Sequence, residues 1–374
     1  MGPQGRGTAG SWDGGARRWV VCPLPVATDP SSVVERRTRR LYSLFANRRL
    51  QEDPPDMSRP AKSFKSPTLL AVVLLAVSLP SGARSVVDSA GRSVAVPERV
   101  ERVFAAGPPA SILLYIVAPD KLTGWPRALR PEERPYIAEP YRDLPETGRL
   151  TGRGSTASLE GLIDARPDLI LDFGSVSDTY VSLANSVQAQ TGIPYLLIDG
   201  RFDNTPAALR LVAEVLGVPE RGERLAAYVE ALVAEVDEAR EAVPPEQRPR
   251  VYLARGAAGL ETALAGALNA EIIERAGGVN VADPQDARVR RGIASVSIEQ
   301  VIVADPDTIV TWDPRFYAGV WDDRLWAGVD AVRNQRVYLS PTTPFGWIDR
   351  PPSINRIMGL RWLSALFMPD RITI

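Results

Sequence analysis

Three arginines, Arg153, Arg255 and Arg350, lie in predicted loops beside or after predicted strands. A guanidinium group always carries charge and only donates hydrogen bonds, so three that converge would bind an anion. Arg255 is the strongest candidate, because it ends the apolar run VYLA and opens a glycine-rich loop. For each arginine taken alone, an ordinary solvated side chain explains the sequence equally well.

Three tryptophans, Trp125, Trp312 and Trp347, fall in the same class of strand-end loops. An indole ring supplies a large contact area with few rotatable bonds, so these rings could stack on a flat or bulky ligand. Packing in the core explains Trp125 and Trp312 equally well. The remaining predicted ligand contacts are Pro108, Ser155, Thr156 and Glu261.

The composition excludes several kinds of site. The 374 residues include no histidine and one cysteine, Cys22, whereas zinc and iron sites and the usual catalytic triads draw on those two residues. A net charge of −1 without a basic patch argues against nucleic-acid binding. The run GRGSTA at 152–157 satisfies GxGxxA, but it follows a loop instead of a strand, so a dinucleotide site is not expected.

Residues 57–83 have the pattern of a secretory signal peptide: basic residues, an apolar run that ends before Pro80, and small residues at Ser81 and Ala83. A membrane anchor is the alternative, although the run is short for a bilayer. Residues 1–56 are interpreted as a non-native extension from an upstream start, or as a disordered basic arm. Since no cysteine follows the apolar run, we expect a soluble periplasmic protein without a lipid anchor.

Strand and helix patterns alternate along the rest of the chain, which predicts an α/β fold with mainly parallel sheets. The segment 84–218 forms one Rossmann-like lobe, 219–243 a long linking helix, and 249–374 a second lobe. We expect a hairpin that turns at Ala90 and Gly91, and a short strand in KLTGW at 121–125. Two lobes joined by one stiff helix leave a cleft between them, where the strand-end loops meet and a ligand would bind.

One phrase occurs twice, as SLEGLIDARPDLIL at 158–171 and as SIEQVIVADPDTIV at 297–310. Half of the fourteen positions are identical. Each copy predicts a helix capped by Ser158 or Ser297, with a glutamate in the first turn, then a Pro-Asp turn and a buried strand. The pair indicates two similarly built lobes, although chance and shared local chemistry are the alternative.

The order and spacing of these motifs resemble the substrate-binding proteins of ABC importers with a helical interlobe connection, which carry ferric siderophores, haem and vitamin B12. The resemblance covers residues 86 to about 366. It rests on VVDSAGRSVAVPERVERVFAAGPPA, on LEGLIDARPDLILDFG, on GLETALAGALNAEIIERAGGVNVA with the second copy of the phrase, and on PFGWIDRPPSINRIMGLRWL.

The resemblance implies a monomeric binding protein, not an enzyme, with a permease and an ATPase as partners. It also implies that Glu160 and Glu299 dock onto the permease; the alternative makes both simply first-turn glutamates that favour the helix dipole. The favoured ligand is a ferric siderophore or related iron chelate, with the metal already chelated and no cofactor needed. Molybdate or tungstate, and vitamin B12 or another corrinoid, stay open, and a metal-cluster enzyme of related fold is the remote alternative.

Overall fold

The computed structural model describes residues 82–152, 154–282 and 292–374, together with the backbone of 288–290. The predicted signal segment up to 81, the extension 1–56 and Arg153 therefore lie outside the described residues. All described residues belong to one compact unit, Asp53–Ile374. Among them, no helix combines the length and the apolar character that a membrane span requires.

The described part of the chain begins with a hairpin, followed by a small parallel sheet. Strands β1 (Ala83–Val87) and β2 (Ser93–Pro97) pair antiparallel, and the turn between them contains Gly91 at a φ of 74°, as the predicted turn requires. Strands β3 (Val103–Ala105), β4 (Leu169–Gly174) and β5 (Tyr195–Asp199) form a parallel sheet with β4 in the centre. The strand predicted in KLTGW is wrong as a regular element, because Leu122 and Trp125 form only isolated bridges.

Helices cover this first sheet. They are α1 (Pro108–Val117), α2 (Leu159–Asp164), α3 (Asp178–Thr191) and α4 (Thr205–Val215). The interior contains Phe104, Leu162, Ile170 and Tyr195. Because β3 to β5 are buried on both faces, their sequences are largely apolar, as expected for a parallel sheet, with Asp172 in β4 and Asp199 at the end of β5 as the exceptions.

The linking helix α5 spans Pro219–Glu241, which is two residues shorter than the segment predicted from the sequence. It packs closely on α4, since a Cβ atom added at Gly222 would lie 2.3 Å from the Cβ of Ala213. Residue 222 has to be a glycine for the two helices to approach this closely, because a side chain there would overlap with α4. The helix thus leaves the first lobe along a tightly packed seam.

The second lobe repeats the parallel arrangement. Strands β6 (Arg250–Ala254), β8 (Val279–Asn280), β11 (Thr308–Thr311) and β12 (Val337–Leu339) form a parallel sheet in the order β12-β11-β6-β8. A second, antiparallel sheet, which the sequence pattern did not indicate, contains β7 (Glu261–Ala263), β9 (Arg288–Arg290) and β10 (Ile293–Ser295). The helices are α6 (Glu271–Arg275), α7 (Ile298–Ala304), α8 (Pro314–Gly319), α9 (Asp330–Arg333) and α10 (Arg356–Phe367).

Arg356, at the start of α10, joins the two lobes through a set of hydrogen bonds that we call the Arg356 cluster. Its guanidinium donates to the carbonyl oxygen of Gly200 in the first lobe, and to the carbonyl of Leu268 and the carboxylate of Glu271 in the second. The backbone N–H of Phe202 donates to the same carboxylate at 2.8 Å. Burial lowers the pKa of Arg356, and its bond to Glu271 opposes that shift.

Candidate ligand site

Arg255 lies immediately after β6 and is almost completely buried, with 3% of its side chain exposed. Its backbone N–H donates to the carbonyl oxygen of Glu261 at 2.8 Å, and this pairing closes the loop that follows the strand. Its Nη2 lies 3.0 Å from Oδ2 of Asp349. The two groups form an ion pair, but the geometry of the contact is not that of a hydrogen bond. Its Nε and Nη1 are buried and have no hydrogen-bond partner among the described residues.

Two unbonded donors on a buried guanidinium are unusual, because buried polar groups in proteins are nearly always hydrogen-bonded. The cost of leaving a charged donor unpaired is larger than for a neutral one. An oxygen atom of an anionic ligand would pair with these donors. The Nε and Nη1 atoms of Arg255 are therefore the feature on which the candidate site is built.

Trp312 follows β11 and is in contact with two guanidinium groups. The Cζ atom of Arg350 lies 4.2 Å from the centroid of its ring, and that of Arg255 lies 5.8 Å away. Both distances are within the range of cation–π attraction. The ring is 8% exposed, and its Nε1 is another buried donor without a partner in the described part of the chain.

Trp347 and Thr262 add two more buried polar groups of the second lobe. Neither the Nε1 of Trp347 nor the Oγ1 of Thr262 has a partner within the ranges that the structure covers. Thr262 lies in β7, next to the residue whose backbone pairs with Arg255. Indole and guanidinium N–H groups can only donate, so the excess of donors favours a ligand with acceptor oxygens.

Asp349 completes the arrangement, and its importance was missed in the sequence. Its Oδ1 accepts from the Nδ2 of Asn269 and from the backbone N–H of Arg350, both at 2.7 Å. Arg350 has a positive φ of 66°, a region that residues other than glycine seldom adopt and that recurs at functional sites. A buried carboxylate needs a nearby cation, which here is Arg255. The only sequence signal for Asp349 was its position two residues after Trp347.

Trp125, in contrast, lies in the packed interior. Its indole N–H donates to the carbonyl oxygen of Tyr141 at 2.8 Å. Its ring contacts Tyr115, with centroids 5.6 Å apart, and Phe345, with centroids 6.2 Å apart. The core alternative therefore describes Trp125 better than stacking on a ligand, although its contact with Phe345 reaches the segment that contains Trp347.

The predicted contacts of the first lobe lie in two other places. Pro108 is the first residue of α1 and is half-buried. Ser155 and Thr156 are exposed and bond within their own loop: the Thr156 N–H donates to the carbonyl of Arg149 at 2.9 Å, and the Ser155 hydroxyl donates to the same oxygen at 3.2 Å. The structure thus brings Arg255, Trp312 and Arg350 together but not Pro108, Ser155 or Thr156. Ligand binding by all six residues stays a prediction.

Below the first-lobe loop lies a buried carboxyl group, Asp172 in β4. The hydroxyl of Tyr195 donates to its Oδ2 at 3.0 Å, and that of Thr151 donates to its Oδ1 at 3.2 Å. Burial raises the pKa of Asp172, and these two hydrogen bonds oppose the shift. A Cβ atom at Gly107 would lie 2.6 Å from the Thr151 hydroxyl, so the backbone just before α1 packs directly against the Thr151 side chain.

Both glutamates of the repeated phrase are exposed in the first turn of a short helix. Ser158 caps α2 by accepting from the N–H of Gly161, and Ser297 caps α7 in a capping box with Gln300. The pKa of Glu299 is lowered, chiefly by hydrogen bonding from the Ser297 side chain. Glu160 and Glu299 therefore have equivalent positions in the two lobes and both carboxylates face solvent.

No three side chains of His, Cys, Asp or Glu come together as a metal site within the described ranges. The described groups around Arg255 include no set that would hold a bare metal ion. Their donors fit the oxygen atoms of an anion instead.

Known proteins provide a comparison for most of the chain. A family model described as periplasmic binding protein matches residues 106–343. The molybdate-binding protein MolA of Haemophilus influenzae is 24% identical over 331 residues, which is 81% of this chain and 90% of MolA. An ABC transporter solute-binding protein from Sulfurospirillum deleyianum has a TM-score of 0.71 and 28% identity, and the match covers 78% of this chain and 90% of that one.

A third similar structure, described as an ABC-type Fe³⁺-hydroxamate transport system from Saccharomonospora viridis, has a TM-score of 0.55 and 21% identity over 76% of this chain and 98% of that one. At this identity the likeness extends to the fold alone. The relatives therefore agree on the architecture and differ in the solute that their descriptions name.

Proposed function

As a member of the periplasmic binding protein family, which serves ABC transporters, this chain captures a solute, and we propose that the solute is a tetrahedral oxyanion of the molybdate and tungstate class. The observation that supports this most is the buried guanidinium of Arg255, whose Nε and Nη1 donors have no hydrogen-bond partner among the residues that the structure describes. Arg350 adds a second positive charge next to Trp312, with its Cζ atom 4.2 Å from the ring centroid. The name of the relative MolA supports the same class of ligand.

The size and burial of the surrounding groups also favour a small anion. Trp312 and Trp347 are 8% and 4% exposed, so little of either ring is available for stacking on a bulky chelate. Their indole N–H groups, which have no partner among the described residues, suit an oxygen acceptor better. The ferric siderophore predicted from the sequence resemblance therefore has less support than the oxyanion, and the corrinoid has no specific support.

A calorimetric titration of the purified protein tests the ligand class. The panel is molybdate, tungstate, sulfate, phosphate, a ferric hydroxamate siderophore, haem and cobalamin. Saturable binding of molybdate or tungstate, with much weaker binding of the chelates, is expected. Saturable binding of the siderophore alone would replace the oxyanion with the iron chelate and leave the transport role in place.

We also propose that the protein acts as a periplasmic monomer, exported through the segment 57–83, and that it delivers its ligand to a permease and an ATPase. Glu160 and Glu299 are proposed as the docking residues, one on each lobe. Next to them, one helical turn on, Ile163 and Ile302 are 50% and 40% exposed, so each lobe presents a carboxylate beside an apolar side chain. Exposed ion pairs are weak, so the carboxylates would fix orientation and the isoleucines would add buried area.

Charge reversal at both glutamates tests the docking proposal. In vesicles that contain the permease and the ATPase, the double variant Glu160→Arg, Glu299→Arg is expected to lower ligand uptake at least about tenfold, because it places like charges against a basic partner surface. The dissociation constant for the ligand is expected to stay unchanged. Glu241→Arg, at the exposed end of α5, is the matched control, and undiminished uptake by the double variant would disprove docking through these residues.

A further inference from the structure

Charged groups of both signs lie around Arg255. Arg255 and Arg350 lie on Trp312, with Cζ atoms 5.8 and 4.2 Å from the ring centroid, and both are cationic. Asp349 is the one carboxylate that pairs with Arg255 among the described residues. A carboxylate therefore lies 3.0 Å from the guanidinium group that would bind the ligand.

The carboxylate of Asp349 is held so that it cannot turn away from the cluster. Its Oδ1 accepts two hydrogen bonds of 2.7 Å, from Asn269 and from the backbone of Arg350, while its Oδ2 lies 3.0 Å from Nη2 of Arg255. Its side chain is 2% exposed, so water and salt screen its charge much less than they screen a surface group. A ligand oxygen on Nε or Nη1 of Arg255 would therefore be close to a fixed negative charge.

From this geometry we propose that Asp349 is a specificity-determining residue, a fixed counter-ion that sets the charge selectivity of the site. Its repulsion of a bound anion is proportional to the charge of that anion, so it weakens the binding of a doubly charged oxyanion more than that of a singly charged one. The inference rests on the proposed function, because it concerns an oxyanion bound to Arg255. It goes further by naming the residue that selects among oxyanions of one shape.

Tungstate and perrhenate provide the measurement, because both are tetrahedral, nearly equal in size, and doubly and singly charged respectively. The quantity of interest is the ratio of the perrhenate dissociation constant to the tungstate dissociation constant, measured by calorimetry in each variant. Asp349→Asn is expected to raise this ratio at least about tenfold, since one unit of charge a few ångströms away is removed from a site of low effective dielectric. A ratio within one variant is independent of the fraction of protein that is active.

An asparagine at 349 must direct its NH₂ group towards Nη2 of Arg255 or towards the donors of Asn269 and Arg350, which disturbs the local bonding. Asp349→Ser is therefore the second variant, because a small hydroxyl removes the charge without a forced contact between donors. The same increase in the ratio is expected. Circular dichroism establishes that each variant is folded before the titration.

One control tests whether the effect is specific to Asp349. Asp88→Asn removes a buried carboxylate that pairs with Arg92 at 2.6 Å in the first lobe, and it is expected to leave the ratio unchanged.

The outcomes are distinct. A higher ratio in both Asp349 variants, with an unchanged ratio in Asp88→Asn, supports the inference. Equal changes in the two dissociation constants would overturn it while leaving the oxyanion function intact. Failure of the folded wild type to bind either ion would overturn the proposed function and this inference with it.

Discussion

Arg255→Ala is expected to weaken molybdate or tungstate binding about a hundredfold or more. The change removes two buried donors that have no partner among the described residues, and truncation of one member of a buried charged contact costs about 2–5 kcal/mol of binding free energy. Arg255→Lys keeps the charge but loses the planar array of N–H groups, so a loss of at least about tenfold is expected. Calorimetric titration of each variant gives the dissociation constants.

The control for Arg255 is Arg92→Ala. Arg92 is another partly buried arginine in an ion pair with an aspartate, but it lies in the hairpin of the first lobe. Its replacement is expected to lower stability without a change in ligand affinity. If Arg255→Ala bound molybdate as tightly as the wild type, the ligand would have to bind elsewhere in the molecule.

Arg356→Met is expected to produce the largest loss of stability. The guanidinium of Arg356 is 1% exposed and is the shared partner of Glu271 and of the carbonyl oxygens of Gly200 and Leu268. Methionine fills much of the volume but leaves these acceptors unpaired, and removal of one partner from a buried ion pair costs about 3–5 kcal/mol of unfolding free energy. Thermal denaturation should therefore show a Tm lower by roughly 5–10 °C.

Arg210→Ala is the comparison for Arg356. Arg210 forms ion pairs with two carboxylates, Glu223 at 2.7 Å and Glu230 at 2.6 Å, but all three side chains are exposed to solvent. Little change in Tm is expected, because water compensates for each lost contact. A Tm loss in Arg210→Ala as large as that in Arg356→Met would show that the number of ion pairs, and not their burial, determines stability here.

Local patterns predicted the elements of this fold because short-range chemistry determines them. The helix caps at Ser158 and Ser297 are confirmed, since each hydroxyl accepts the backbone N–H expected from the sequence. The hairpin turn at Ala90 and Gly91 is also confirmed, because β1 and β2 pair antiparallel on either side of it and Gly91 has a positive φ. The strand predicted in KLTGW failed because only single bridges at Leu122 and Trp125 hold that segment to its neighbours.

The candidate site depends on contacts that local patterns cannot specify. Asp349 and Arg255 are far apart in the sequence, and Asn269, which orients Asp349, lies 80 residues before it. An apolar run identified the strand that ends just before Arg255, but no spacing in the sequence identified Asp349 as the partner of Arg255. Trp125 and Trp312 had similar loop positions in the sequence, and only the tertiary contacts separate a ring covered by Tyr115 and Phe345 from one that lies beside two arginines.

The Arg356 cluster also has a consequence for how the molecule unfolds. Its acceptors come from both lobes, and the N–H of Phe202 in the first lobe depends on a carboxylate of the second. Each lobe alone would therefore retain unpaired polar groups whose hydrogen-bond partners lie in the other lobe. We expect the two lobes to melt in a single cooperative transition, with neither lobe a folding unit of its own. Two similarly built lobes would thus behave as one thermodynamic domain.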